Sequence, residues 1–202
     1  HDQCRILLEK NGVPSLEEAW KEDTIFRNSQ IILPHLTLDG GELNLEVGKK
    51  SLRLFELPGH SPDGIGVYVV EDEVLFAGDV WMPIPHIIDG DIQVMRESLR
   101  KLHDMTLENV VQGHGEVILR GEVDEGIDDR IQYLDQLEKL VQEAADDEFP
   151  GEFLRENDVE KSGKSRILLG GAAEQIHQRN LEHLYHIKYG EFPRTYDDYE
   201  DE

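Results

Sequence analysis

Three stretches of the chain end in the same way: LFELPGH at His60, EVLFAGD at Asp79 and ENVVQGH at His114. In each, an apolar run of strand character leads to a glycine and then to a side chain able to bind a metal. A strand fixes where its last residue lies, and the adjacent glycine permits a sharp exit and a close backbone approach to a shared centre. Neutral imidazole and carboxylate suit zinc, iron or manganese, and a carboxylate can bridge two ions because it has two oxygens. Two metals held close together can carry an attacking hydroxide and stabilise negative charge that develops on a substrate. A single Gly-His or Gly-Asp is common in any sequence, so the joint order of the three is what singles them out. They lie 19 and 35 residues apart. Only a tertiary fold can bring them together.

The elements that must position them follow from the hydrophobic pattern. Alternation predicts strands at 43–47, 51–57, 65–71 and 73–77, separated by glycine-rich or acidic turns and forming one antiparallel sheet. Ile92, Met95, Leu99 and Leu102 recur at helical spacing and predict a helix over 91–105. Ile127, Ile131, Leu134, Leu137 and Val141 do the same for 122–146, and ENVVQGHG between them reads as a buried strand. The series implies a mixed α/β domain. At the start, Cys4, Leu7 and Leu8 predict a helix over 3–10 that Asn11-Gly12 stops, with a second short helix after Pro14. Beyond Phe149-Pro150-Gly151 the chain becomes more charged. The reading there is a main domain at 1–147 and a helical appendage at 148–202, with a frayed acidic terminus, TYDDYEDE.

Composition bounds the class of function. The chain has 202 residues, 38% hydrophobic and 32% charged, with regular apolar runs over the first 145 positions, which fits a folded soluble domain rather than a disordered one. No window approaches the roughly 20 consecutive apolar residues of a membrane span. A formal charge of −24 repels phosphate backbones and there is no basic stripe, so a small-molecule substrate is expected rather than nucleic acid or membrane, with homo-oligomerisation left open. The single cysteine, Cys4, cannot form an intramolecular disulfide, in keeping with a cytoplasmic setting.

PGHSPDGIGVYVV, VLFAGDVW and VVQGHGEV resemble the third, fourth and fifth motifs of the metallo-β-lactamase-fold superfamily, and the resemblance covers about residues 1–145. It implies an αββα sandwich, here incomplete in its N-terminal half. It also implies a ligand set in which His60 binds one metal, Asp79 bridges and His114 binds the second. The family's HxHxDH motif, which supplies further histidines and a catalytic aspartate, is absent from the 202 residues. The expectation is that it lies upstream of His1 or on another chain, and that this portion alone holds half a site and is inactive. Implied for the intact protein is a metal-dependent hydrolase with two zinc ions, iron and manganese being compatible with the same donors. A metal-bound hydroxide would act on a thioester, lactone or ester. Aspartate at the fourth motif, where the true lactamases have cysteine, argues against β-lactam substrates. An iron-dependent redox enzyme of the same fold and a non-catalytic scaffold are the alternatives.

The segment after Asp79, VWMPIPHIIDGD, reads either as a rigid crossover or as a wall of the substrate pocket, with Trp81 and His86 as the substrate-binding candidates. Cys4 reads as a packed helix residue, His35 as lying at a strand entrance and His103 as solvated on the polar side of its helix. The tail histidines His177, His183 and His186 are poorly spaced for chelation, since only the last pair shares a helical face. SGKS at 162–165 is no phosphate loop, because the glycine required five residues before Gly163 is Asp158 and no strand precedes it.

Overall fold

Residues that alternate between apolar and polar along 42–78 pair into strands, and those with a 3.6-residue apolar period cover one face of the resulting sheet. The computed structural model describes residues 35–87 and 90–191. The expected helices near Cys4 and Pro14 and the acidic terminus lie outside them. The chain divides into two compact units, residues 1–42 and 43–202.

Among the described residues six strands form one sheet in sequence order: β1 (Glu42–Val47), β2 (Lys50–Glu56), β3 (Ile65–Val69), β4 (Val74–Gly78), β5 (Asn109–Gln112) and β6 (Ile118–Leu119). The meander read from the sequence is present, with β2, β3 and β4 antiparallel in turn. The hairpin tip between β3 and β4 is acidic, as expected, and Glu73 there takes a left-handed conformation with φ 52°. Helix α1 (Ile92–His103) then carries the chain over to β5, which pairs parallel to β4. Its first turn is capped by the Asp91 carboxylate, which accepts from the amides of Gln93 at 2.7 Å and Val94 at 3.0 Å. Helix α2 (Val123–Ala145) follows, then the short α3 (Pro150–Glu156) and α4 (Ala173–Tyr189).

The core lies between the sheet and these helices. Tyr68, Leu75, Ala77 and Val110 meet Met95, Leu99, Ile127 and Leu134, all buried. Residues of the alternate register, Ile65 and Phe76, remain 46% and 47% exposed on the other face. This is a mixed α/β fold with its helices segregated to one face of the sheet among the described residues.

The tail packs against α2, and its polar residues are not all on the solvent side. His177 of α4 is fully buried. Its Nε2–H donates to the Asn157 carbonyl at 2.9 Å, which leaves Nδ1 to accept from the Tyr133 hydroxyl at 2.9 Å. Burial holds the His177 imidazole below its usual pKa, against smaller opposing effects from the bond to Asn157 and from Glu174 and Asp158. Its neutral form is therefore preferred in the folded state. The unfolded chain takes up the proton first as pH falls, so this contribution is complete above about pH 6.5 and is lost as pH drops towards the lower folded value. The loss is at most about 1.4 kcal/mol per pH unit in that window. Urea denaturation between pH 5 and 7.5 should show the slope in the native sequence and a shallower one in H177Q. An unchanged slope in H177Q would refute the assignment.

Candidate metal centre

Strands β2, β4 and β5 all run in the same direction, because β2 and β4 are each antiparallel to β3 and β5 is parallel to β4. The three glycine-ligand endings therefore fall at one end of the sheet. There the Asp79 carboxylate lies between two imidazoles. Its Oδ2 is 3.7 Å from His60 Nε2 and its Oδ1 is 3.7 Å from His114 Nε2. The side chains are 17% exposed for His60, 38% for Asp79 and 62% for His114, so the site opens to solvent on the His114 side.

Each ligand candidate is held by its own local contacts. The turn that carries His60 is closed by Leu57 N–H to Gly64 O at 2.8 Å and Gly59 N–H to Ser61 O at 3.1 Å. It is tied to α1 by the Ser98 hydroxyl, which donates to Pro58 O at 2.6 Å. Helix α1 passes so close that a Cβ added at Gly59, where φ is +142°, would overlap the Met95 backbone. His60 Nδ1 lies 2.6 Å from the His86 carbonyl. A carbonyl can only accept, so Nδ1 carries the proton, and in the neutral ring the lone pair is on Nε2, facing Asp79.

The Asp79 and His114 turns are joined directly, since Gly113 N–H donates to Gly78 O at 2.9 Å. A Cβ at Gly113 would overlap Asp79 Oδ1. Behind them Gln112 is clamped. Its Nε2 donates to Glu116 O at 2.6 Å, closing the turn around His114, and its Oε1 accepts from Arg130 at 3.4 Å.

The two substrate candidates are placed differently. His86 stands edge-on to His60 with ring centroids 5.6 Å apart. Burial lowers its pKa, assisted by His60, Arg179 and His183 and opposed by Asp79. Trp81, by contrast, is fully buried in the core, and its position corrects the reading of a pocket wall. The Arg130 guanidinium lies 4.7 Å from the centre of its ring, and the lack of a side chain at Gly126 leaves room for its edge. The cleft at Asp79 is lined instead by Leu57, His60, Asp63, Ile65 and Val80. His103 is on the helix surface as expected, with Asp124 and Asp128 each 3.4 Å from one of its ring nitrogens.

The donor set suits a metal, offering an imidazole lone pair, a second imidazole and a carboxylate with one oxygen towards each. Among the described residues no three His, Cys, Asp or Glu side chains close around a single ion position. The two histidines face opposite oxygens, so each position has one nitrogen and one oxygen from this group.

Residues 3–152 match the metallo-beta-lactamase superfamily. The chain belongs to that superfamily. A beta-lactamase-like protein 2 homolog from Caenorhabditis elegans is 30% identical over 111 residues, which are 54% of this chain and 37% of that protein. An inverting sec-alkylsulfatase from Pseudomonas sp. superposes with a TM-score of 0.61 at 13% identity, over 80% of this chain and 28% of its own. The chain thus spans well under half the length of either, and the second likeness is one of fold. Superfamily members are typically metal-dependent enzymes of hydrolase type.

The sequence reading passed over the residues behind the site, Ser98, Gln112, Arg130 and Asn180. A signal existed for Asn180. Together with His177 it falls on the stripe of α4 that also carries Ala173, Leu181 and Leu184, where an amphipathic helix should be apolar. Polar residues on a buried stripe need partners.

Proposed function

We propose that this chain is part of a metal-dependent hydrolase acting on a small thioester, lactone or ester. The carrying observation is the Asp79 carboxylate with one oxygen towards each of two imidazoles. His60 and Asp79 Oδ2 would hold one ion, and His114 and Asp79 Oδ1 the other. Bound there, the metals supply Lewis acidity that draws the pKa of a water towards neutrality and stabilises developing negative charge. His60 contributes a lone pair fixed by its bond to His86 O. His114, on the open side, lies where substrate enters. The apolar residues Leu57, Ile65 and Val80 exclude water from one flank of the cleft.

The net charge of −24 supports a small uncharged electrophile over a polyanion. The sulfatase likeness, at 13% identity, carries no substrate across. The test is a panel of thioesters, lactones and esters offered to the intact protein before and after chelation. Hydrolysis that is lost on chelation and regained with zinc is expected. Turnover that survives complete metal removal, or an iron content that supports redox turnover without hydrolysis, would overturn the proposal.

A further inference from the structure

Asn180 of α4 lies outside the stretch matched to the superfamily, yet its side chain grips the peptide groups on both sides of His86. Its Oδ1 accepts from Ile87 N–H at 2.9 Å, and its Nδ2 donates to Pro85 O at 2.7 Å. The residue between these two contacts is the one whose carbonyl receives the Nδ1–H of His60 at 2.6 Å. Asn180 is fully buried, and its second amide hydrogen reaches the Tyr133 hydroxyl oxygen at 3.3 Å.

The donor directions form one consistent chain. The Asn157 carbonyl can only accept, so His177 Nε2 is the protonated nitrogen. His177 Nδ1 must then accept from Tyr133 O–H, and the Tyr133 oxygen is left to accept from Asn180 Nδ2. Burial raises the Tyr133 pKa, which keeps that hydroxyl a donor. The amide orientation of Asn180 is thereby fixed independently of the loop, and it is the orientation that Pro85 O and Ile87 N–H require.

We propose that Asn180 is a positioning residue for the metal centre, locking the loop at 85–87 so that the His86 carbonyl holds His60 in its Nδ1–H tautomer with Nε2 free. The appended helix thus sets the state of a ligand some 120 residues earlier in the sequence. A side chain that fills two opposed backbone valences at once restricts both flanking peptides, and loosening such outer contacts typically lowers metal affinity about 10–100-fold.

This rests on His60 being a ligand, but ring nitrogen NMR reports its tautomer without any metal, so the two ideas fail separately. In the 202-residue chain the His60 ring should show a slowly exchanging Nδ1–H. The Nε2–H tautomer there would refute the positioning role outright. In N180A, or in the isosteric N180D if N180A does not fold, the Nδ1–H should exchange with water. The zinc concentration that half-shifts the His60 signal should rise about tenfold or more. L184A removes a buried apolar side chain from the same helix and none of the hydrogen bonds to the loop, and serves as the structural control. It should lower Tm while leaving the His60 tautomer and zinc midpoint unchanged. Retention of both by N180A and N180D, or their equal loss in L184A, would overturn the proposal. A native Nδ1–H with no zinc response at His60 would instead count against the metal reading.

Discussion

D79A is expected to reduce zinc affinity by more than about 100-fold, beyond the range usual for an outer contact, and to abolish hydrolysis in the intact protein. Among the described residues the carboxylate is the group with one oxygen towards each imidazole, so its loss removes an oxygen donor from each position at once. Replacing either histidine should leave the other pair in place. Asp79 is partly exposed at the end of β4, and among the described residues its side chain supports no backbone hydrogen bond of the sheet, so the urea midpoint should move little. Metal analysis after gel filtration, with the denaturation curve alongside, measures both quantities. Native metal content in folded D79A would remove the residue from the site.

The second large effect is expected from G113A, a change of one methyl group. The new Cβ would occupy the place of Asp79 Oδ1 and press on the Asp79 amide nitrogen at 3.0 Å. The cheapest relief is rotation of the carboxylate, which takes it out of reach of one or both histidines. Gly113 itself is exposed and alanine is accommodated by its backbone, so the cost should fall on the site and not on the fold. A loss of zinc affinity on the order of 10–100-fold with a nearly unchanged urea midpoint is the expected pair of results. Equal zinc binding in G113A would show that the carboxylate does not need the position described.

The strands and the two long helices were legible because each has a face. Tyr68, Leu75 and Val110 alternate with more exposed neighbours, and Met95, Leu99 and Leu102 recur at helical spacing. The ligand candidates were legible for a related reason, since each follows a strand and a glycine. Their meeting point depends on three strands sharing a direction, and that depends on the parallel pairing of β4 with β5. Nothing local in the sequence encodes that pairing; the motif resemblance stood in for it.

Trp81 was misplaced because its position next to Asp79 says nothing of which way the chain turns. It is part of the buried core, and the groups against its ring include Gly126 and the Arg130 guanidinium, 45 and 49 residues further along the chain. The buried chain from His177 through Tyr133 to Asn180 was hidden for the opposite reason. A charged, amphipathic tail suggests polar side chains facing water; the helical spacing puts His177 and Asn180 on the apolar stripe, but only the tertiary packing shows which partners they meet.

Zinc titration followed on the ring nitrogen signals of all the histidines tests the central claim most directly. His60 and His114 should both shift with added zinc, while His103, His177 and His186 stay unchanged, and both responses should vanish in D79A. A response confined to histidines of the tail, with His60 and His114 unaffected, would contradict the assignment of the metal centre.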